Sequence, residues 1–177
     1  SVTTAAASAL ADLLRTGIEL VLVSGRTQAQ LLEACAIFGA GGFVAELGAF
    51  VGWDRGRQGK TLRGAMPAEF EAIPPALIDA MLEHYAGRLE FHSPWHVGHE
   101  LDVMLRGEVD AAEVNAWFAG QGAGWLRLND NGLLAPRPTP NLTVARLHVY
   151  HLAPDGIDKG RAVAFDLQRR GLRAEQA

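Results

Sequence analysis

The run Ile18-Glu-Leu-Val-Leu-Val-Ser24-Gly25-Arg26-Thr27 is almost continuously apolar up to Val23, then turns abruptly small and polar. Unbroken apolarity, rather than alternation, suits a parallel strand covered on both faces. A hydroxyl residue, a glycine and an arginine at its end suit a place where backbone N–H groups and positive charge gather around an anion. Working outward, Gly17 separates this strand from Thr4–Arg15, whose alanines and leucines fall at helical spacing with Thr3 or Thr4 as N-cap. On the other side, Gln28–Phe38 reads as a second helix with Leu31, Leu32, Cys35 and Phe38 on one side. Phe43–Ala45 then reads as a second parallel strand. The order α-β-α-β is that of an α/β, doubly wound (Rossmann-like) core.

The texture changes after Gly48. Residues 49–53 and 60–63 read as antiparallel strands joined by the glycine-rich turn 54–59. A mostly helical stretch, 69–85, is interrupted or started by Pro74-Pro75. Residues 89–92 and 100–106 read as strands, with Leu101, Val103 and Leu105 inward. A helix at 111–118 is followed by an expected hairpin, 125–128 with 132–135, turning through Asn129-Asp-Asn-Gly132. A strand at 146–152 closes this block, and a helix at 158–170 returns to the α/β pattern. The expected organisation is a core in two pieces, 1–52 and 153–177, around an inserted α+β cap at 53–152. The cap admits a division into two similar helix-then-hairpin halves.

With 49% hydrophobic residues, the 177-residue chain can bury a real core. A net charge of −4 without a long basic run argues against nucleic acid as the partner. No apolar run reaches the roughly 20 residues of a membrane span, so a soluble, cytoplasmic chain without a membrane partner is expected. Cys35, the single cysteine, excludes an internal disulfide and is expected in the core.

Three short motifs carry the chemistry: Ser24-Gly-Arg26, Glu46-Leu-Gly-Ala49 and Gly156-Ile-Asp-Lys-Gly160. In this order and spacing the chain resembles the haloacid dehalogenase (HAD) superfamily of hydrolases. More narrowly, it resembles the branch holding the Cof-type, sucrose-phosphate and mannosyl-3-phosphoglycerate phosphatases. The middle block, from His96-Val-Gly-His-Glu-Leu-Asp-Val103 to His148-Val-Tyr-His151, is similar to cap sequences of that branch. The resemblance implies that Ser24 hydrogen-bonds a phosphoryl oxygen and that Lys159 neutralises the phosphoryl group and the attacking carboxylate. Gly25 and Arg26 complete the anion site. For Ser24 the plain alternative is the N-cap of the following helix; for Lys159 it is a solvated side chain, though a helix start is a poor place for a cation. Asp158 reads as an N-cap or first-turn carboxylate rather than a catalyst. Arg26 serves either substrate or an acidic partner. Leu47 stands where the branch carries asparagine in Glu-Asn-Gly.

His92, His96 and His99, with His148 and His151 farther on, invite a metal site. Ser93-Pro94 and Gly98 make the segment a poor helix, however, and no fourth ligand is fixed. His96 and His99 are instead candidates for substrate contact from a cap loop, with ordinary cap structure as the plain alternative. The four tryptophans are expected in cores, with Trp95 in the histidine loop as the exception.

The family's Asp-x-Asp-x-Thr motif, which supplies nucleophile and general acid–base, is not among these residues, nor is the later Gly-Asp segment that helps hold magnesium. For the intact protein the resemblance implies a Mg2+-dependent phosphomonoesterase acting on a small phosphorylated metabolite, such as a sugar phosphate, through an aspartyl-phosphate. Residues 1–177 alone are expected to be inactive. The alternative is a non-catalytic module binding a phosphorylated ligand or a partner. A nucleotide-binding oxidoreductase is disfavoured by the lack of a glycine fingerprint after the first strand.

Overall fold

The computed structural model describes residues 3–135 and 137–176. The chain divides into two compact units, Ser1–Leu62 with Asp158–Ala177, and Arg63–Ile157.

In the first unit, α1 (Thr4–Arg15) is capped by Thr3, whose Oγ1 accepts from the Ala6 N–H at 3.2 Å. Strand β1 (Val21–Val23) leads to α2 (Gln28–Phe38), which ends at Gly39 in the left-handed conformation. Strand β2 (Gly42–Ala45) follows, then a 3-10 turn, then β3 (Phe50–Trp53) and β4 (Gln58–Thr61). The sheet order is β1-β2-β3-β4, parallel between β1 and β2 and antiparallel thereafter. The hairpin β3–β4 hydrogen-bonds onto β2, and the first unit extends to Leu62.

The strand covered on both faces is β2. Phe43 and Ala45 pack with Leu31 and Cys35 of α2, while Val44 packs with Val51 and Ala162. Strand β1 is shorter than its apolar run and lies at the sheet edge; Ile18 is 56% and Val23 42% exposed. Cover of both faces is thus incomplete along this run, although Leu20 and Leu22 pack on the core. Cys35 is buried as expected, and burial raises its thiol pKa. The returning helix from the second segment, Lys159–Arg169, holds the buried carboxylate of Asp166 against Arg169 and Arg170.

The second unit repeats one pattern twice. Helix α3 (Pro75–His84) precedes β5 (Leu89–Phe91) and β6 (Val103–Gly107). Helix α4 (Ala111–Gly120) precedes β7 (Leu126–Leu133) and β8 (His148–Pro154). The returning helix Lys159–Arg169 is therefore α5. The sheet order is β5-β6-β8-β7, antiparallel throughout. Pro75 stands at the first position of α3, where its missing N–H costs nothing.

The expected hairpin through 129–132 does not form. Residues 126–133 make one strand paired with β8, with an irregularity between Asp130 and Leu133. Asp130 Oδ1 accepts from the Gly132 N–H at 2.7 Å, and Gly132 takes φ +100°. The turn chemistry is satisfied by a local kink in a continuing strand, not by a reversal.

One face of this sheet meets the helices. Leu89, Leu105, Leu126, Leu128, Tyr150 and Leu152 pack with Met81, Val114 and Phe118, each large side chain contributing about 2 kcal/mol by burial. Two polar clamps fix the layers. Asn115 donates to the Leu128 carbonyl and accepts from its N–H at 2.7 Å. The Tyr150 hydroxyl donates to the Val109 carbonyl at 3.0 Å and accepts from its N–H at 3.1 Å.

Candidate active site

In the first unit the parallel strands β1 and β2 end side by side, the position where open α/β sheets bind ligands. Ser24 continues the ladder with an N–H bond to the Val44 carbonyl at 2.9 Å. Its Oγ accepts from the Arg26 N–H at 3.3 Å, which leaves the hydroxyl hydrogen for another acceptor. Helix α2 is capped by Thr27, not by Ser24. Thr27 Oγ1 accepts from the Gln30 N–H, and the Gln30 side chain returns the bond to the Thr27 N–H. Ser24 is thereby released from the plain role open to it. The Gly25 N–H makes no hydrogen bond among the described residues.

The next turn is held in the left-handed region at three successive residues: Glu46 at φ 48°, Leu47 at 58° and Gly48 at 112°. The Glu46 N–H donates to the Arg26 carbonyl at 2.9 Å, tying this turn to the Ser24 loop. Gly48 is fixed by contact as well as by conformation. A Cβ there would stand 2.3 Å from the Asp158 carbonyl oxygen and 3.2 Å from the Ala162 Cβ. Only glycine lets the turn lie directly against the start of α5. Strained non-glycine backbone of this kind is kept where the surroundings over-determine it.

Asp158 is the N-cap of α5, its Oδ1 accepting from the Arg161 N–H at 2.9 Å. Lys159 occupies the first helical position, is exposed, and makes no ion pair among the described residues. A cation at a helix start is electrostatically unfavourable on its own, and a bound anion reverses the sign. The Ser24 loop, the Glu46–Gly48 turn and the start of α5 are thus joined in sequence by direct contacts. They collect a hydroxyl, an unpaired amide N–H, an ammonium and a helix N-terminus within one unit. Such a set has the donors and the positive charge that suit an anion.

No group of three or more His, Cys, Asp or Glu able to hold a metal ion occurs among the described residues. The described residues therefore do not by themselves form a magnesium site.

His96 and His99 lie in the second unit. The His96 ring stacks on Phe91, with centroids 4.7 Å apart. The His99 side chain is 3% exposed, its Nδ1 3.4 Å from Asp102 Oδ2. Asp102 also receives His151, whose Nδ1 stands 2.8 and 2.9 Å from the two carboxylate oxygens. Burial alone would raise the Asp102 pKa, but the hydrogen bonds from His151 and His99 outweigh it and hold the carboxyl below its ordinary value. His92, whose N–H donates to the Met104 carbonyl, shares a cross-strand row with Met104 and His151 on the sheet face turned from the helices. Burial, with Arg106, Arg137, His151 and His96 nearby, depresses its pKa. Asp102 was missed by sequence reading; the alternation Asp102, Met104, Arg106 opposite inward Val103 and Leu105 was the available signal. Trp95 is 55% exposed.

This arrangement, a mixed α/β unit with a second antiparallel sheet unit inserted, is the fold of HAD-like hydrolases. A haloacid dehalogenase-like hydrolase from Bacteroides thetaiotaomicron aligns at TM-score 0.58 and 16% identity, covering 97% of this chain and 71% of that one. Sucrose-phosphatase from Synechocystis, in complex with sucrose and phosphate, aligns at TM-score 0.58 and 12% identity, covering 94% of this chain and 64% of that one. A Thermoplasma acidophilum protein aligns at TM-score 0.61 and 16% identity, and the chain spans 64% of its length. No protein-family model matches the chain, nor does any curated protein sequence.

Proposed function

We propose that the protein carrying this chain is a phosphatase that hydrolyses a small phosphorylated metabolite. The observation that carries this reading is the unpartnered first-turn ammonium of Lys159 beside the Gly48 turn, itself bonded to the Ser24 loop. Phosphoryl transfer asks a protein chiefly to position groups and to stabilise charge on the equatorial oxygens. Ser24 Oγ–H and Gly25 N–H donate to those oxygens, and Lys159 neutralises the charge that collects there. Arg26, exposed at the end of the same loop, adds a cation for the ligand. The attacking carboxylate, the acid–base group and magnesium come to the proposal from the resemblance alone. No step is assigned to the metal, and residues 1–177 by themselves are not expected to turn over substrate. A sugar phosphate is the favoured substrate class, supported by the sucrose-phosphatase neighbour and by a second sugar phosphatase of the same fold at TM-score 0.55. His96 and His99 remain candidates for substrate contact.

A second reading, a non-catalytic module that binds a phosphorylated ligand, rests on the same donors. Inorganic phosphate titrated into the full chain and followed by amide NMR tests what the two readings share. Resonances of residues 24–26 and 159–160 should shift, and Lys159→Ala should weaken binding about tenfold or more. Absence of a shift at both loops would overturn the anion site. Turnover of p-nitrophenyl phosphate then separates the readings. In the protein bearing the family's aspartates, Lys159→Ala and Ser24→Ala should each lower kcat/KM by about 100-fold. No turnover there leaves the binding module.

A further inference from the structure

The two units carry opposite charge. Arg63–Ile157 has six arginines, no lysine and twelve acidic residues, a net −6, whereas the remainder is +2. On the acidic unit, beside the start of α3, lies a groove of about 450 Å³. Its floor is apolar, formed by Ile73, Phe91 and Val103, and its rim carries the carboxylates of Glu71, Asp79 and Glu100. His99, fixed by Asp102, lines it as well. None of the anion-site residues belongs to it.

We propose that this groove docks a basic, partly apolar segment of a partner protein: a large aliphatic or aromatic side chain on the floor, with lysine or arginine at the rim. Charge complementarity selects the cation. The apolar floor excludes a merely solvated counter-ion, since covering it needs an apolar body. Small-molecule pockets enclose most of their ligand's surface. Glu71, Ala72, Pro75, Asp79 and Glu100 of its lining are exposed, so its occupant must bring its own cover, as a chain segment does. Rim charges of this kind set partner choice and association rate more than raw affinity.

The test uses the full chain and a fluorescein-labelled Lys-Phe-Lys-Leu-Lys peptide, read by anisotropy at low salt. Replacing Glu71 and Asp79 together by lysine should weaken binding about tenfold or more, whereas Glu113→Lys on α4 should leave it within about twofold. Exchanging Phe and Leu of the peptide for serine should also weaken it about tenfold. The His99 imidazole resonance should move on binding. Equal losses with Glu113→Lys and with the groove reversal would reduce the effect to general attraction by an acidic unit and overturn the site. So would no binding at all, or phenylpropylamine binding as tightly as the peptide, which would make the groove a small-amine pocket.

Discussion

Leu47 sits in the left-handed region at φ 58°, ψ 11°, where a branched side chain carries a conformational cost of about 1–2 kcal/mol. Asparagine tolerates that region, so the asparagine of the family's Glu-Asn-Gly answers a backbone need as well as any ligand need. Leu47→Asn and Leu47→Gly should each raise the urea midpoint, by about 1 kcal/mol of stability; a lowered midpoint for both would show that Leu47 packing outweighs its strain. The histidines make a pH prediction. The His92 pKa is depressed in the folded protein, so the unfolded chain takes up that proton first. Stability from neutral His92 is present above about 6.5, its ordinary pKa, and drains as pH falls below it. The lowered Asp102 pKa adds a second contribution to stability, present above 3.8 and lost as pH falls through the folded value. Urea midpoints at stepped pH should therefore fall in two acid stages, and His92→Gln should flatten the first while leaving the second.

Among the elements, those written in local signals were legible. Helices α1 and α2 fall where the apolar spacing puts them, α1 ending before Gly17, and of the two structural places open to Asp158 the structure takes the N-cap of α5. Asp158→Ala should lower stability by about 1 kcal/mol, measured by thermal or urea unfolding, since one first-turn N–H loses its acceptor. What failed was tertiary. Asn129-Asp-Asn-Gly132 has the composition of a hairpin turn, yet β8 offers a longer partner, and the residues kink without reversing. The apolar run at 18–23 reads as a parallel strand covered on both faces; it does pair parallel with β2, yet Val23 is 42% exposed and the fuller cover falls on β2. In the site, Ser24 and Lys159 stood out by residue type, but the bond from Glu46 to Arg26 and the closeness of Gly48 to Asp158 join segments about 20 and 110 residues apart, which no local pattern encodes.

At the scale of the whole molecule, a single chain alternates between two kinds of sheet and two signs of charge. The mixed sheet and the positive balance coincide in the unit that holds the proposed anion site. That coincidence suits the proposed anionic ligand, since a field of the right sign speeds capture before any contact forms. Only two lysines occur in the chain, Lys60 on exposed β4 and Lys159 at the start of α5. Side-chain acylation by an amine-selective reagent is thus confined to two addresses, one within the candidate site and one outside it. Phosphate should slow labelling of Lys159 severalfold while Lys60 keeps its rate as an internal clock, read from two peptides in one mass spectrum. Equal rates with and without phosphate would place the anion elsewhere, so the scarcity of lysine turns the protein into its own occupancy gauge.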